Sequence, residues 1–411
     1  MNFKRGFEQA RQQLPFGIAQ IGTAFRNEIA PRNGLLRVRE FEQAEIEYFI
    51  ASREEHCKHF KDVEDIVVNL FDYHQQLDDK PMTEGITIKE AVEKHIIAHE
   101  YLGYFIGRCQ QFLTKIGLEA SKLRFRQHLP KQLAHYAKDC WDCDCLLYCG
   151  WTEILGIADR SAYDLQVHSK GSGQDLSAFV KYDEPKTEEL YSAKPVMKEL
   201  AKVFKKDAQT LKVALEEASQ EELARIDKEI KETGKFTLKD KELTPAMITL
   251  KKSMQTVHGK SVIPLVIEPS FGVGRILYAL FEHAFYMRDN DEARTVFKFE
   301  PHMAPYRCAV ISLMAKDELE AVADPLIKRL RKAGISCKGD DSSVAIGKKY
   351  ARFDEIGVPY IVTVDYDTLK DSTVTLRERD SMEQARVPVE GIEGLVSDLI
   401  NGNKRFADLK K

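Results

Sequence analysis

Phe25-Arg26-Asn27-Glu28, joined through the connector Ala30-Pro31-Arg32-Asn33-Gly34 to Arg37-Val38-Arg39-Glu40-Phe41 and then Glu45, is the stretch whose reading decides the fold. Residues 17–23 ahead of it have strand character, and Leu36, Val38 and Glu40 alternate behind the connector. The pattern predicts a long antiparallel hairpin with a charged loop. A nucleotide site needs a rigid cation for phosphate, polar groups for a base edge and an aromatic face for stacking, and these facing strands carry all three. Arg26 is a candidate phosphate clamp. Taken alone, the segment is better read as a pair of strands with exposed ion pairs, so the remainder of the chain has to decide.

Downstream, residues 51–122 carry mostly helical periodicity, as in Ala91, Ile96, Ile97, Tyr101, Tyr104 and Phe105, with breaks at Pro81 and Gly85. Strand patterns return at 123–126, 136–141 and 150–156. Gly171-Ser172-Gly173-Gln174-Asp175 marks a loop. Residues 180–260 read as an insertion whose charged stretch, 195–233, is helical and presents a solvated face rather than a dedicated RNA contact. A short apolar strand at 262–267 leads into Glu268-Pro269-Ser270-Phe271-Gly272-Val273-Gly274-Arg275 and an amphipathic helix through Ile276, Leu280 and Phe285. Glycines at such a junction permit close backbone approach. The spacing is neither the dinucleotide fingerprint nor a P-loop, because no Gly-Lys-Ser/Thr follows. After the linker Phe299-Glu300-Pro301-His302-Met303-Ala304-Pro305, strands at 308–313, 335–337 and 360–364 alternate with helices at 319–333 and 346–356, a separate α/β domain. No internal repeat of fixed period is present.

With 411 residues, 43% hydrophobic and 31% charged, the chain is long enough for two or three domains with substantial cores. No stretch approaches the roughly 18 uninterrupted apolar residues of a membrane-spanning helix. A net charge of -4 gives no global pull toward nucleic acid, so RNA contact would come from local basic patches. Eight cysteines without a secretion signal read as reduced thiols, and the expected location is the cytoplasm, with a mitochondrial form open. Met1-Asn2-Phe3-Lys4-Arg5 looks interior to a domain, and Glu8 argues against an acid-poor transit peptide. Cys140, Cys143, Cys145 and Cys149, clustered around Trp141, suggest a metal site at first sight. Zinc usually takes two separated ligand pairs, however, and Cys143 and Cys145 would share one face of a strand, so the favoured reading is small apolar side chains in a sheet.

The order of elements, an FRNE hairpin, a long helical and sheet region, a Gly-x-Gly-Arg strand-to-helix junction and a terminal α/β domain, resembles class II aminoacyl-tRNA synthetases, with Arg26 in motif 2 and Arg275 in motif 3. Phe16-Gly17-Ile18-Ala19-Gln20-Ile21-Gly22, Ala44-Glu45-Ile46-Glu47, Asp159-Arg160-Ser161, Tyr163-Asp164-Leu165 and 268–275 are similar to the homodimeric, eukaryotic and archaeal type of glycyl-tRNA synthetase. So are Asp340-Asp341-Ser342-Ser343, Ile346-Gly347, Tyr350-Ala351-Arg352 and Asp354-Glu355-Ile356-Gly357. The resemblance implies an α+β fold: a class II antiparallel sheet flanked by helices in a catalytic domain over 1–300, with a helical insertion at about 180–260, then an α/β anticodon-binding domain over 301–411.

It also implies roles for residues. Arg26 would meet the ATP α-phosphate beside Asn27, Glu28 the adenine edge, and Phe41 the adenine ring, with Arg275 on the opposite ring face. Arg37 and the Val38 backbone would touch the nucleotide. Glu153 and Ile154 would lie against it, Glu153 helping to hold Mg2+. Glu45, Glu268, Pro269 and Ser270 would surround glycine, with Arg160 lining the site. Glycine has no side chain to grip, so its selection combines acceptors for the ammonium with steric refusal of any Cβ. The implied reaction is glycine activation by ATP and transfer to the 3′ end of tRNA(Gly) in a homodimer, with Lys348, Lys349 and Arg352 as RNA-facing cations. The resemblance further implies a preceding segment, holding motif 1 of the dimer interface and another glycine-contacting Glu, before the residue aligned with Met1. The alternative is a truncated or noncatalytic synthetase-like nucleic-acid-binding or accessory protein. Retention of Arg26, Glu28, Phe41 and Arg275 together favours an ATP user, and Glu45 with 268–270 disfavours the prolyl and threonyl enzymes.

Overall fold

The computed structural model describes residues 2–31, 34–289 and 291–410, so Arg32 and Asn33 of the hairpin connector lie outside the described residues. The chain divides into two compact units, residues 15–174 with 264–410, and residues 2–14 with 175–263.

In the first unit eight strands form one sheet. They are β1 (Phe16–Phe25), β2 (Glu40–Ile50), β3 (Val67–Phe71), β4 (Thr83–Thr87), β5 (Leu123–Gln127), β6 (Asp139–Leu147), β7 (Gly150–Ser161) and β8 (Leu265–Gly272), in the order β1-β2-β8-β7-β6-β5-β3-β4. Every neighbouring pair is antiparallel except β3 with β5. The expected hairpin is β1–β2, in register from Phe16 opposite Phe49 to Phe25 opposite Glu40. Register across the sheet then sets Glu45 opposite Ser270, and both Glu268 and Cys140 opposite Ala158. Because side chains alternate, these pairings assign whole rows to one face.

Helices α1 (Glu100–Lys115) and α2 (Val273–Ala284) bury Leu102, Ile106, Leu113, Ala279 and Leu280 in one core with Phe125, Trp141, Cys143, Cys145, Ile157 and Ile267 of the sheet. Cys143 and Cys145 are therefore core side chains. The expectation of a mostly helical segment over 51–122 needs correction, since β3 and β4 form the far edge of the same sheet within it. Five-residue apolar runs such as 67–71 are too short for periodicity to separate strand from helix. The expected strand at 136–141 starts only at Asp139.

After β8 and α2, a second sheet runs in the order Cys337–Asp340, Cys308–Ser312, Tyr360–Val364, Thr373–Glu378, Gln384–Pro388. Its first three strands are parallel and its last two antiparallel, with helices Asp317–Lys332, Ile346–Glu355 and Ile392–Ile400 packed on it. The segment 299–305 is packed rather than free: Phe299 and Ala304 are buried, and Arg379 donates to the carbonyls of Phe299 and Gly357 at 2.9 Å each. Arg288 and Arg377 converge on buried Asp354. One sequence expectation fails here. Lys349 is fully buried and donates from Nζ to the carbonyls of Ser312 and Asp340 at 3.1 Å each, so it ties strand ends together and does not face RNA. Helical periodicity places it on the inner face, and a lysine reaches such carbonyls only when tertiary packing brings them over it.

The second unit holds an antiparallel ribbon, Ala178–Pro195 with Ile248–Val262, together with helices Met197–Phe204, Ala208–Glu216 and Gln220–Thr233. The helices bury Leu200, Leu211, Leu215, Leu223 and Ile226 around Phe236 and Leu243. The helical stretch is as the periodicity predicts. The ribbon is not legible in the sequence, because Ile248–Val262 is exposed at most positions and carries no alternation of apolar and polar residues. Among the described residues no helix is long and apolar enough to cross a membrane.

Candidate active site

The loop between β1 and β2 is closed by polar bonds. The Arg26 N–H donates to the Arg39 carbonyl at 2.9 Å, Arg39 Nε donates to the Glu28 carbonyl at 2.8 Å, and Arg37 Nε donates to the Glu28 carboxylate at 2.9 Å. The Arg26 guanidinium lies over the Phe41 ring, 5.5 Å from its centroid. From α2, Arg275 reaches across to the same region, donating to the carbonyls of Leu36 at 2.6 Å and Glu153 at 2.8 Å, with the Glu153 carboxylate 3.5 Å away. Gly272 permits close approach of β8 to β7 here: a Cβ there would stand 3.1 Å from the Ile154 carbonyl, closer than packing tolerates without adjustment.

These elements enclose a cleft of about 1020 Å³ on the sheet face opposite α1 and α2. Its wall includes Arg26, Glu28, Arg37, Val38, Phe41, Glu45, Glu153, Ile154, Arg160, Glu268, Ser270 and Arg275, twelve of the residues singled out in the sequence. Two others do not line it. Asn27 is exposed, and Pro269 is buried on the other face of β8, as alternation requires when Glu268 and Ser270 face the cleft.

At one end Arg160 is held three ways, by Asp164 at 2.7 Å, by Glu268 at 3.0 Å and by the face of Tyr136, 4.2 Å from its guanidinium carbon. Burial works against its charge, but Asp164 and Glu268 keep it protonated above its ordinary value. Burial raises Glu268 above the ordinary carboxylate range, with Arg160 opposing and Glu45 and Glu47 reinforcing. Glu47 is raised by burial and then by Glu45. Gln43 Nε2 donates to Ser270 Oγ at 2.5 Å. Behind Arg160, buried Asp159 receives Nε and Nη2 of Arg53, the latter at 2.9 Å, the Ser161 N–H at 2.9 Å, and His99 Nε2 at 3.3 Å. His99 Nδ1 accepts the Leu102 N–H at 3.3 Å, so the neutral ring carries its proton on Nε2 and donates it to Asp159. Burial opposes ionisation of Asp159, yet these donors lower it to about 2.

Next to Gly156 of the cleft wall, strands β5 and β6 carry a charge ladder. Arg126 pairs with Asp142 at 2.7 Å and Asp144 at 3.1 Å, and Arg124 pairs with Asp144 at 3.0 Å. Burial in the cleft raises Glu153, and the nearby Asp142 adds to this. A desolvated carboxylate with a second acid nearby offers the oxygen donors that a hard divalent cation takes. Sequence reasoning missed Gln43, His128 and Tyr136, which also line the cleft. Gln43 could have been found by alternation from Glu45 on β2. His128 directly follows β5, and Tyr136 lies in a turn that the sequence reads as the start of a strand, so neither was marked as a site residue.

The first 284 residues fit the tRNA synthetase class II core domain (G, H, P, S and T), matched over 3–284, and an anticodon binding domain follows at 307–399. The fold and cleft are thus those of a class II aminoacyl-tRNA synthetase core with its anticodon-binding module. Among characterised proteins, the chain is 45% identical over 416 residues to the glycine–tRNA ligase of Bombyx mori, covering 100% of this chain and 56% of that protein. It is 43% identical over 414 residues to that of Caenorhabditis elegans, covering 99% and 56%. Against that of Methanococcus vannielii it is 43% identical over 410 residues, covering 97% and 70%. The chain belongs to the glycine–tRNA ligase family, and it spans little more than half the length of the insect and nematode relatives.

Proposed function

We propose that the cleft activates glycine with ATP and passes it to the 3′ end of tRNA(Gly). The observation that carries this is the joint placement, in one cleft, of a cationic and aromatic end (Arg26, Phe41, Arg275) and an acidic end gated by Arg160 (Glu45, Glu268, Ser270). ATP lies with adenine on Phe41 and its base edge toward Glu28, while Arg26 and Arg275 neutralise the phosphates. Glu153 would hold Mg2+, which supplies further neutralisation of phosphate charge.

The glycine ammonium is received by Glu268, Glu45 and the Ser270 hydroxyl. Its carboxylate is directed by Arg160 toward the α-phosphorus and attacks there in line, with pyrophosphate leaving. A terminal ribose hydroxyl of the tRNA then attacks the glycyl carbonyl and AMP departs. No covalent enzyme intermediate is needed, because the work is alignment and charge neutralisation. Alanine and serine are refused because a Cβ would meet a filled, charged wall. The protein works as a homodimer in the cytoplasm, with Arg352 and Lys348 offering cations to RNA. The noncatalytic alternative is disfavoured by the intact ATP-facing set.

The test is glycine-dependent exchange of pyrophosphate into ATP, measured on the chain joined to the upstream portion of a relative. Exchange with glycine but not with alanine or serine is expected. A folded, dimeric product showing no exchange with glycine overturns the reading.

A further inference from the structure

We propose that His128, Cys140 and Asp142 form a binding site for a zinc-class divalent cation at the edge of the cleft. The cysteine cluster 140–149 does not assemble a site of its own, since Cys143 and Cys145 are packed beneath the sheet and Cys149 is exposed. Cys140 stands apart from them, on the opposite face of β6, and the His128 N–H donates to its carbonyl at 2.9 Å, which fixes the two residues side by side. Asp142 lies two residues along β6 and so on the same face. One ligand atom from each of the three falls within 4.8 Å of the others.

Zinc bound at about 2.0–2.3 Å holds tetrahedral donors about 3.3–3.8 Å apart, so small rotamer movements close the set. The second observation concerns the Asp142 carboxylate. Its Oδ2 takes both Arg126 at 2.7 Å and His128 at 2.8 Å, whereas its Oδ1 takes no hydrogen bond from the described residues. That oxygen stands 3.4 Å from where a Cβ on Gly156 would be, and Gly156 lines the cleft. One oxygen can therefore ligate while the other keeps Arg126.

The donor set of imidazole nitrogen, thiolate sulfur and carboxylate oxygen suits zinc, cobalt and related borderline cations rather than Mg2+, which takes oxygen ligands. His128 and Cys140 both line the cleft, so a cation enters from it, and three protein ligands leave its fourth position open toward it. On binding, the thiol proton and any imidazolium proton leave to solvent, and no bond to carbon changes. The site stands independently of the proposed reaction.

Cobalt titration of the chain as it stands tests this, because cobalt reports its ligands by absorption. A thiolate-to-cobalt charge-transfer band and strong visible bands of four-coordination are expected, and zinc should bleach both. Cys140→Ser should remove the charge-transfer band, His128→Gln should weaken cobalt binding, and Cys149→Ser should change nothing, each variant first shown to melt like the parent. No charge-transfer band at saturating cobalt, or a band that survives Cys140→Ser, overturns the proposal. If Cys140→Ser melts early, weaker cobalt binding by His128→Gln with unchanged binding by Cys149→Ser supports the site, and the reverse pattern sinks it.

Discussion

Arg160 on β7 and Glu268 on β8 face each other at 3.0 Å, an ion pair at the end of the cleft proposed above to receive glycine. Glu268 is raised above the ordinary carboxylate value chiefly by burial, so its charged form is penalised in the folded chain. For a raised carboxyl the sign is clear: the penalty is absent below the unfolded value of 4.5, grows as pH rises through the folded value, and is complete above it. Glu268→Gln should therefore leave thermal stability at neutral pH equal or higher. It should also weaken glycine binding about tenfold or more, the scale of a charge-assisted hydrogen bond. Paired melting and glycine titration check both halves, and an unchanged glycine affinity would remove Glu268 from the site.

Removing Arg275 should weaken ATP binding by roughly 10- to 100-fold, corresponding to about 1.5–3 kcal/mol for a charged hydrogen bond. Asn27→Ala, whose side chain does not line the cleft, should shift it by less than about threefold, a surface-scale effect. Calorimetric titration of the two variants separates a residue that touches the ligand from one that only neighbours it in sequence.

Asp159 braces the strand that carries Arg160. Its depressed value, about 2 against 3.8, means that its contribution to stability is full above 3.8 and is lost as pH falls toward 2. The amount is about 2 kcal/mol. Asp159→Asn should lower the melting temperature at pH 7 and flatten the decline of stability between pH 4 and 2, roughly the interval between the two values. Melting curves across that interval read the effect directly.

Gly357 has φ +77°, and a Cβ there would stand 2.4 Å from the Phe299 ring and 2.9 Å from the Phe297 carbonyl. Gly357→Ala should cost roughly 2–4 kcal/mol, combining backbone strain with overpacking. Gly334 also has positive φ, at +81°, but nothing lies within 4 Å of its Cβ position. Gly334→Ala should cost only about 1 kcal/mol, the strain alone. Denaturant unfolding of the pair distinguishes the two causes.

The sequence by itself determined the hairpin of Arg26 and Phe41, the strand-to-helix junction at Gly272 and the α/β character of the last domain. Each rests on local periodicity and turn chemistry, which are written within a few residues. The resemblance carried by those motifs named twelve residues that the cleft brings together. Only the tertiary structure decided that β3 and β4 extend the sheet, that a ribbon accompanies the charged helices, and that Lys349 is buried beneath two carbonyls. It alone separated Cys140 from Cys143 and Cys145 and set it beside His128 and Asp142. The physical reason is the same in each case. Short runs, exposed strands and polar side chains are placed by partners distant in the chain, and register across eight strands, rather than spacing along one, decides which face each residue takes.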